Sequence, residues 1–158
     1  MNWIVTAESF DTADARTLRR DYYDEVASRY WRRPATEQEI DEGLADDGVE
    51  QLVPPTGEFL VGRHGGKAAC CGGVLLRDAE TAELTRVFVR PAQRGTGGGG
   101  ALLRMLEDAA RRLGAWRMVL DTRLDLVEAR ALYTRHGYRE IPAYKSGPYM
   151  EIWYGKGL

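Results

Sequence analysis

The sequence predicts an α/β fold in which about four helices flank a central mixed, mostly antiparallel sheet. Three strand-like segments follow one another through short turns between residues 59 and 90, a pattern typical of an antiparallel meander. A strand, a glycine-rich turn, an amphipathic helix and another strand then follow, and such a crossover joins parallel strands. Together, the two patterns indicate a sheet with both kinds of pairing.

Length and composition indicate the class of protein. The chain has 158 residues with 44% hydrophobic content, so we expect one domain spanning residues 1–158. Its 22 basic and 24 acidic residues give a net charge of −2, which argues against a nucleic-acid partner. No apolar run reaches membrane-spanning length and the first residues do not resemble a signal peptide. We therefore predict a cytoplasmic protein without a membrane partner.

The first third is predicted to form one strand and two helices. The run WIVT at residues 3–6 is rich in strand formers. A first helix, capped by Ser9 or Asp11, carries apolar residues at helical spacing to about residue 31. A second helix opens on a capping box at residues 36–39 and ends near Asp47-Gly48.

The meander occupies the middle of the chain. Strands at residues 59–63 and 67–76 are joined by a hairpin turn at His64-Gly65-Gly66. A second turn at residues 77–80 leads into the third strand, at residues 82–90. This third strand leads into the glycine-rich turn.

The remaining segments extend the sheet and cover it. In chain order they are helix 101–113, strand 116–120, helix 126–136, strand 138–141 and strand 150–154. The first of these helices has a broad apolar face, so it is expected to pack on the sheet. Gly137 ends the second helix.

The cysteines predict neither a disulfide nor a metal site. Cys70 and Cys71 are adjacent in a strand, where successive side chains point to opposite faces. Together with His64 and His136 they do not have the spacing of a zinc site. We therefore expect two partly buried free thiols and no metal.

Glycine fills five of the six positions from Gly95 to Gly100. Glycine is unfavourable in a helix, so a density this high indicates a close approach of ligand to backbone. Free N–H groups at the positive end of a helix form a site for phosphate oxygens. The segment is therefore predicted to bind an anionic cofactor.

A dinucleotide is one such cofactor. Gly95 to Gly100 satisfy the G-x-G-x-x-G pattern and Asp121 ends a later strand, as an acidic ribose ligand would. Against this, Arg90 to Arg94 separate the strand from the glycines, and a meander precedes them. Too little chain follows Asp121 for a second nucleotide-binding half. No Gly-Lys-Ser or Gly-Lys-Thr follows, which excludes a Walker-type phosphate loop.

The run VFVRPAQRGTGGGGALL resembles the acetyl-CoA motif of the GNAT superfamily of N-acetyltransferases: Gln or Arg, two residues, Gly, one residue, then Gly or Ala. Arg94, Gly97 and Gly99 fit this pattern. Downstream, EARALYTRHGYREI resembles a second landmark of the family at Ala129, Tyr133, Gly137 and Tyr138. One position departs, because Leu126 stands where the family often has asparagine. The resemblance covers nearly the whole chain and implies the same order of elements.

The resemblance implies main-chain contacts with acetyl-CoA. The pantetheine arm would lie along Val87, Phe88 and Val89, and an N–H of Phe88 or Val89 would polarise the thioester carbonyl. The pyrophosphate would rest on the N–H groups of the glycine segment, assisted by the Arg94 charge. The contributing residues would be Arg94, Gly95, Thr96, Gly97, Gly98 and Gly99.

Two side chains are candidate catalytic residues. The superfamily often places a carboxylate base where Glu83 begins its strand, and Glu83 is predicted to share a face with Val87. Glu83 would act directly or through a water; the alternative is a solvated glutamate. Tyr133 would protonate the departing CoA thiolate, the alternative being a buried tyrosine that only donates a hydrogen bond.

The expected function is acetyl transfer from acetyl-CoA to a primary amine by direct attack in a ternary complex. The acceptor would be a small molecule or a peptide. Two alternatives stay open: a non-catalytic acyl-CoA-binding module and an NAD(P)-binding oxidoreductase. The identity of the amine and the oligomeric state, including a homodimer, stay open as well.

Overall fold

The computed structural model describes residues 2–45 and 47–158. Within them the strands are β1 Trp3–Ala7, β2 Gly57–His64, β3 Lys67–Leu76, β4 Thr81–Val89, β5 Arg117–Thr122, β6 Arg139–Glu140 and β7 Ile152–Gly157. The α-helices of the same residues are α1 Ala13–Trp31, α2 Glu37–Ala45, α3 Gly98–Arg112 and α4 Val127–Arg135. Short 3₁₀ turns lie at Val49–Gln51 and Pro91–Gln93.

All seven strands form one sheet in the order β1-β2-β3-β4-β5-β7-β6. The β4–β5 pair is parallel, and the other neighbouring strands are antiparallel. The predicted mixed, mostly antiparallel sheet with about four helices is therefore confirmed. None of the helices in the described residues is both long and apolar enough to cross a membrane.

The helix starts show which local signals were sufficient. The capping box of α2 is present, because the Glu39 N–H donates to Thr36 Oγ1 and the Thr36 N–H donates to Glu39 Oε1. The predicted caps of α1 were wrong. Thr12 is the cap and accepts the Ala15 N–H at 3.2 Å. Its hydroxyl also donates to Glu8, a contact that the local sequence pattern did not reveal. α2 spans Glu37–Ala45, and the residue between it and the predicted end near Asp47-Gly48 lies outside the described residues.

The two faces of the sheet carry separate hydrophobic cores. One core lies beneath α3 and includes Leu102 and Leu106, and the other lies beneath α1 and includes Leu18. Cys70 belongs to the first core and Cys71 to the second, and both are free thiols. The prediction that they point to opposite faces is confirmed. Burial raises the pKa of both thiols.

Candidate active site

A groove opens where two neighbouring strands of the sheet separate. β4 and β5 pair only from Thr81↔Arg117 to Glu83↔Val119, although both strands continue beyond. On its other side β4 stays paired with β3 as far as Val89. The β5-facing edge of residues 84–89 therefore has no strand partner in the described chain. A groove of about 720 Å³ lies there, bordered by α1, α4 and the start of α3.

The three predicted pantetheine residues line this groove. Val87 and Val89 pack into the core beneath α3, whereas Phe88 belongs to the core beneath α1. Since their side chains are used for packing, their backbone is the part available to an extended ligand. The main-chain role expected for Val87, Phe88 and Val89 stays a prediction.

An extra residue in β4 changes the direction of its side chains. Cys71 pairs with Phe88 and Gly73 pairs with Thr85, so two residues of β4 lie opposite Gly72. Such a bulge reverses the alternation of side chains along the strand. Leu84 and Val87 consequently pack into the same core, although they are three residues apart. The prediction that Glu83 shares a face with Val87 is therefore wrong.

Arg86 is the residue that bulges. Its φ of 56° lies in the left-handed region. The Arg86 guanidinium donates to the backbone carbonyl of Asp47 and to Thr85 Oγ1. The Asp47 carboxylate lies 3.5 Å from Arg86 Nε and 3.6 Å from Arg19 Nη2, and all three side chains are buried. This buried charge cluster stabilises the bulge beside the groove.

The glycine segment forms the start of α3 instead of preceding it. α3 begins at Gly98, three residues earlier than predicted, and Gly97 is its cap with a φ of 93°. The first helical bond runs from the Ala101 N–H to the Gly97 carbonyl at 3.1 Å. The N–H groups of residues 98–100 therefore have no acceptor within the helix. These residues line the groove, so the predicted anion site opens into it.

Gly98 allows β1 to close on the helix. A Cβ atom at this position would lie 2.4 Å from Trp3 Cζ2. The Trp3 Nε1–H donates to the Thr96 carbonyl at 3.1 Å, and the Thr96 hydroxyl donates to the Gln93 carbonyl at 2.6 Å. The Thr96 side chain thus stabilises the loop from outside, whereas Gly95, Gly97, Gly98 and Gly99 border the groove.

Arginine side chains surround the glycine end of the groove. Arg94 binds both carboxylate oxygens of Glu25 on α1, at 2.7 and 2.8 Å, and donates to the Val89 carbonyl. Its charge is therefore already paired across the groove. Other basic groups lining the groove are Arg29, Arg104, Arg135 and His136. Burial, followed by the charges of Arg104 and Lys156, lowers the pKa of His136.

Tyr133 lies on α4 and lines the groove with a side chain that is only 6% exposed. Its ring packs edge-on against Tyr138 at 5.9 Å and lies 6.2 Å from Tyr154. Burial raises the pKa of Tyr133, so the phenol keeps its proton at neutral pH. Among the described residues its hydroxyl has no hydrogen-bond partner, which leaves the proton available to a ligand in the groove.

Glu83 lies just beyond the groove, where β4 and β5 begin to separate. It is 6% exposed, and its Oε2 accepts a hydrogen bond from Tyr144. The Lys145 Nζ lies 2.9 Å from this oxygen and the Arg77 Nη1 lies 3.5 Å from it. Lys145 also lies 3.1 Å from Asp121, which does line the groove. Glu83 is thus connected to the groove through Lys145 and Asp121.

Sequence reasoning missed four members of this cluster: Arg77, Asp121, Tyr144 and Lys145. Asp121 had been considered only as a ribose ligand, although a polar residue at the carboxyl end of a parallel strand is a general sign of a site. Tyr144 and Lys145 lie in an irregular segment between β6 and β7. No spacing pattern connects such a segment to Glu83, so only the folded chain brings them together.

Residues 14–138 match the model of the Acetyltransferase (GNAT) family. An uncharacterized N-acetyltransferase from Schizosaccharomyces pombe is 30% identical over 146 residues, which cover 91% of this chain and 86% of the relative. An IAA acetyltransferase from Azospirillum brasilense is 32% identical over 102 residues, which cover 64% of this chain and 65% of that protein, slightly under two thirds of its length.

The fold agrees with solved structures as well. The PaiA N-acetyltransferase from Thermoplasma acidophilum, solved in complex with coenzyme A, superposes with a TM-score of 0.75 at 14% identity, with all of both chains covered. At this identity the likeness concerns the fold alone. The resemblance read from the glycine and tyrosine motifs is confirmed by the family match, and the chain belongs to the acetyltransferase (GNAT) family.

Proposed function

We propose that this protein transfers an acetyl group from acetyl-CoA to a primary amine, within one domain spanning residues 1–158. The observation that carries the proposal is the continuous path along the groove. An unpaired strand edge at residues 84–89 leads directly to the free N–H groups of α3. An extended amide chain that ends in a pyrophosphate is the ligand that such a path fits.

Acetyl-CoA would lie with its pantetheine arm along β4. The amides of Val87, Phe88 and Val89 would bind the arm as an added strand, and one of them, at Phe88 or Val89, would stabilise the oxyanion. The pyrophosphate would bind the amides from Arg94 to Gly99, and Arg94 would exchange its Glu25 partner for phosphate.

The proposed reaction is a direct attack. The amine nitrogen forms a bond to the thioester carbonyl carbon, and the carbon–sulfur bond breaks. Glu83, or a water that it holds, takes the proton from the amine, and Tyr133 gives its proton to the CoA thiolate. An unprotonated amine attacks a thioester without a metal, so we propose none. The acceptor would be a small molecule or a peptide.

Ligand-dependent unfolding tests the cofactor. CoA at about 100 times its Kd should stabilise the folded chain by about 2.7 kcal/mol. For a protein of 158 residues this raises Tm by roughly 5–10 °C. NAD should have no effect, because the sheet is mostly antiparallel with a single parallel pair and lacks the doubly wound parallel order of dinucleotide-binding folds. If NAD stabilises the chain and CoA does not, the result would contradict our proposal and support an NAD(P)-binding oxidoreductase. Stabilisation by CoA without CoA release on any amine would favour a non-catalytic acyl-CoA-binding module.

Replacing Glu83 with glutamine tests the base. We expect Glu83→Gln to lower the rate of acetyl transfer about tenfold and to change its pH dependence. This decrease in rate is smaller than is usual for the loss of a base, because water can replace the carboxylate. Glu107→Gln is a matched control. Glu107 is equally buried and also binds one tyrosine and one lysine, Tyr138 and Lys156. It lies on α3, however, and is not joined to the groove-lining Asp121, as Glu83 is through Lys145. An unchanged pH profile in Glu83→Gln would remove Glu83 from the mechanism.

A further inference from the structure

Lys145 places an ammonium group between two carboxylates just beyond the inner end of the groove. Its Nζ lies 2.9 Å from Glu83 Oε2 and 3.1 Å from Asp121 Oδ2. Asp121 lines the groove, and Glu83 directly precedes the groove-lining residue Leu84. A primary ammonium is therefore already held at the place where β4 and β5 begin to separate.

The charges of this cluster balance only while one ammonium is present. Glu83 and Asp121 supply two negative charges, and Lys145 and Arg77 supply two positive ones. Without Lys145, two carboxylates would face a single guanidinium. Burial lowers the pKa of Lys145, but the hydrogen bond and charge of Glu83 and the charge of Asp121 outweigh it, so the pKa is raised. The site thus favours a protonated amine.

The segment that carries Lys145 has the features of a loop whose side chains a ligand could displace. Residues 142–151 contain no helix or strand, and most of them are exposed. The Lys145 side chain is 27% exposed, so its ammonium is reachable from solvent. Tyr144 also binds Glu83 and packs under Arg77, whose guanidinium carbon lies 4.8 Å from the ring centre. These contacts attach the segment through side chains that a competing cation could replace.

We propose that Glu83 and Asp121 form the ammonium site for the acceptor, and that Lys145 occupies it until a cationic primary amine takes its place. This inference rests on the proposed acetyl transfer and narrows its substrate class. The favoured acceptor is an amine without a carboxylate beside its amino group, since such a carboxylate would approach Asp121. The outgoing Lys145 leaves one net negative charge, which the incoming ammonium neutralises. This ammonium gives one proton to Glu83 before its nitrogen attacks, and the nitrogen gives its second proton to solvent once the amide bond has formed.

Removing the Lys145 charge should therefore strengthen acceptor binding. Suppose that Lys145 is out of the site in about a tenth of the molecules, so that only this tenth can bind the acceptor. Lys145→Met should then lower KM for benzylamine about tenfold and leave kcat nearly unchanged. Glycine, whose carboxylate adjoins its amine, should stay a poor acceptor. Lys156→Met is the matched control. Lys156 is 26% exposed and also binds a buried carboxylate, at 3.0 Å from Glu107, so its removal should leave KM unchanged.

Calorimetric titration separates this inference from the activity itself. With CoA bound, benzylamine should bind Lys145→Met about tenfold more tightly than the unmodified protein, even if neither turns over. Adding Asp121→Asn to that variant should remove the gain, and thermal unfolding identifies any variant that fails to fold.

Equal affinity in Lys145→Met and the unmodified protein would overturn the proposal. An acetyl group found on Lys145 by mass spectrometry would also overturn it, because Lys145 would then be an acceptor. Absence of CoA release with every amine would instead count against the proposed function.

Discussion

Replacing Gly97 with valine should weaken CoA binding on the order of a hundredfold, equivalent to about 2.8 kcal/mol. Gly97 has a φ of 93°, and a side chain in this region costs roughly 1–2 kcal/mol. A branched side chain also prevents a phosphate from approaching the amides at the start of α3. Isothermal titration of CoA into the variant measures the loss.

A matched glycine distinguishes backbone strain from lost cofactor contacts. Gly66 has a φ of 83° in the β2–β3 turn, and a Cβ atom at either position would meet nothing within 4 Å. Gly66→Val should therefore lower the free energy of unfolding by about as much as Gly97→Val does, but it should leave the Kd for CoA unchanged. Equal CoA affinity in the two variants would show that the start of α3 does not bind the pyrophosphate.

Tyr133→Phe should lower kcat for acetyl transfer by about a hundredfold or more, which is the range for losing a positioned acid. The change removes the hydroxyl of a groove-lining residue and keeps the ring that packs against Tyr138 and Tyr154. Because burial raises the pKa of Tyr133, its proton is retained as the pH rises toward 10. The rate of the unmodified enzyme should therefore not fall between pH 7 and 9 through loss of this proton. Steady-state kinetics across this range checks both statements.

Tyr154→Phe is the control for the loss of a phenol in the same aromatic cluster. Tyr154 is as buried as Tyr133, and its hydroxyl accepts a hydrogen bond from Arg130 instead of facing the groove. We expect kcat to stay close to that of the unmodified enzyme. If Tyr133→Phe behaves like Tyr154→Phe, Tyr133 is a packing residue and the thiolate takes its proton from water.

Local sequence signals were sufficient where the determining contacts are local. The bounds of β3 were predicted as they occur, because turns flank a continuous strand-forming run. The capping box of α2 needed only residues 36–39. The spacing of Arg94, Gly97 and Gly99 located the groove, since a ligand that binds backbone needs glycine at fixed positions.

The errors arose where distant residues determine the local conformation. No glycine or asparagine of β4 marks the bulge at Arg86, whose side chain contacts the distant Asp47. α3 includes its glycines because Trp3, from the opposite end of the sequence, packs on Gly98. Lys145 contacts Glu83 from the irregular segment before β7, whose position depends on the pairing of β7 with β5. None of these contacts has a sequence period that could reveal it.

The separation of β4 from β5 also bears on solubility. It gives the sheet an unpaired edge in its interior, and such edges are templates for pairing with a strand of another molecule and thus for aggregation. Helix α1 borders the edge and is held across it by Arg94 to Glu25 and by Arg123 to the Val26 carbonyl, each at 2.7 Å. A pantetheine chain along β4 would satisfy the exposed amides. The cofactor would then protect the folded chain from self-association as well as supply its acetyl group.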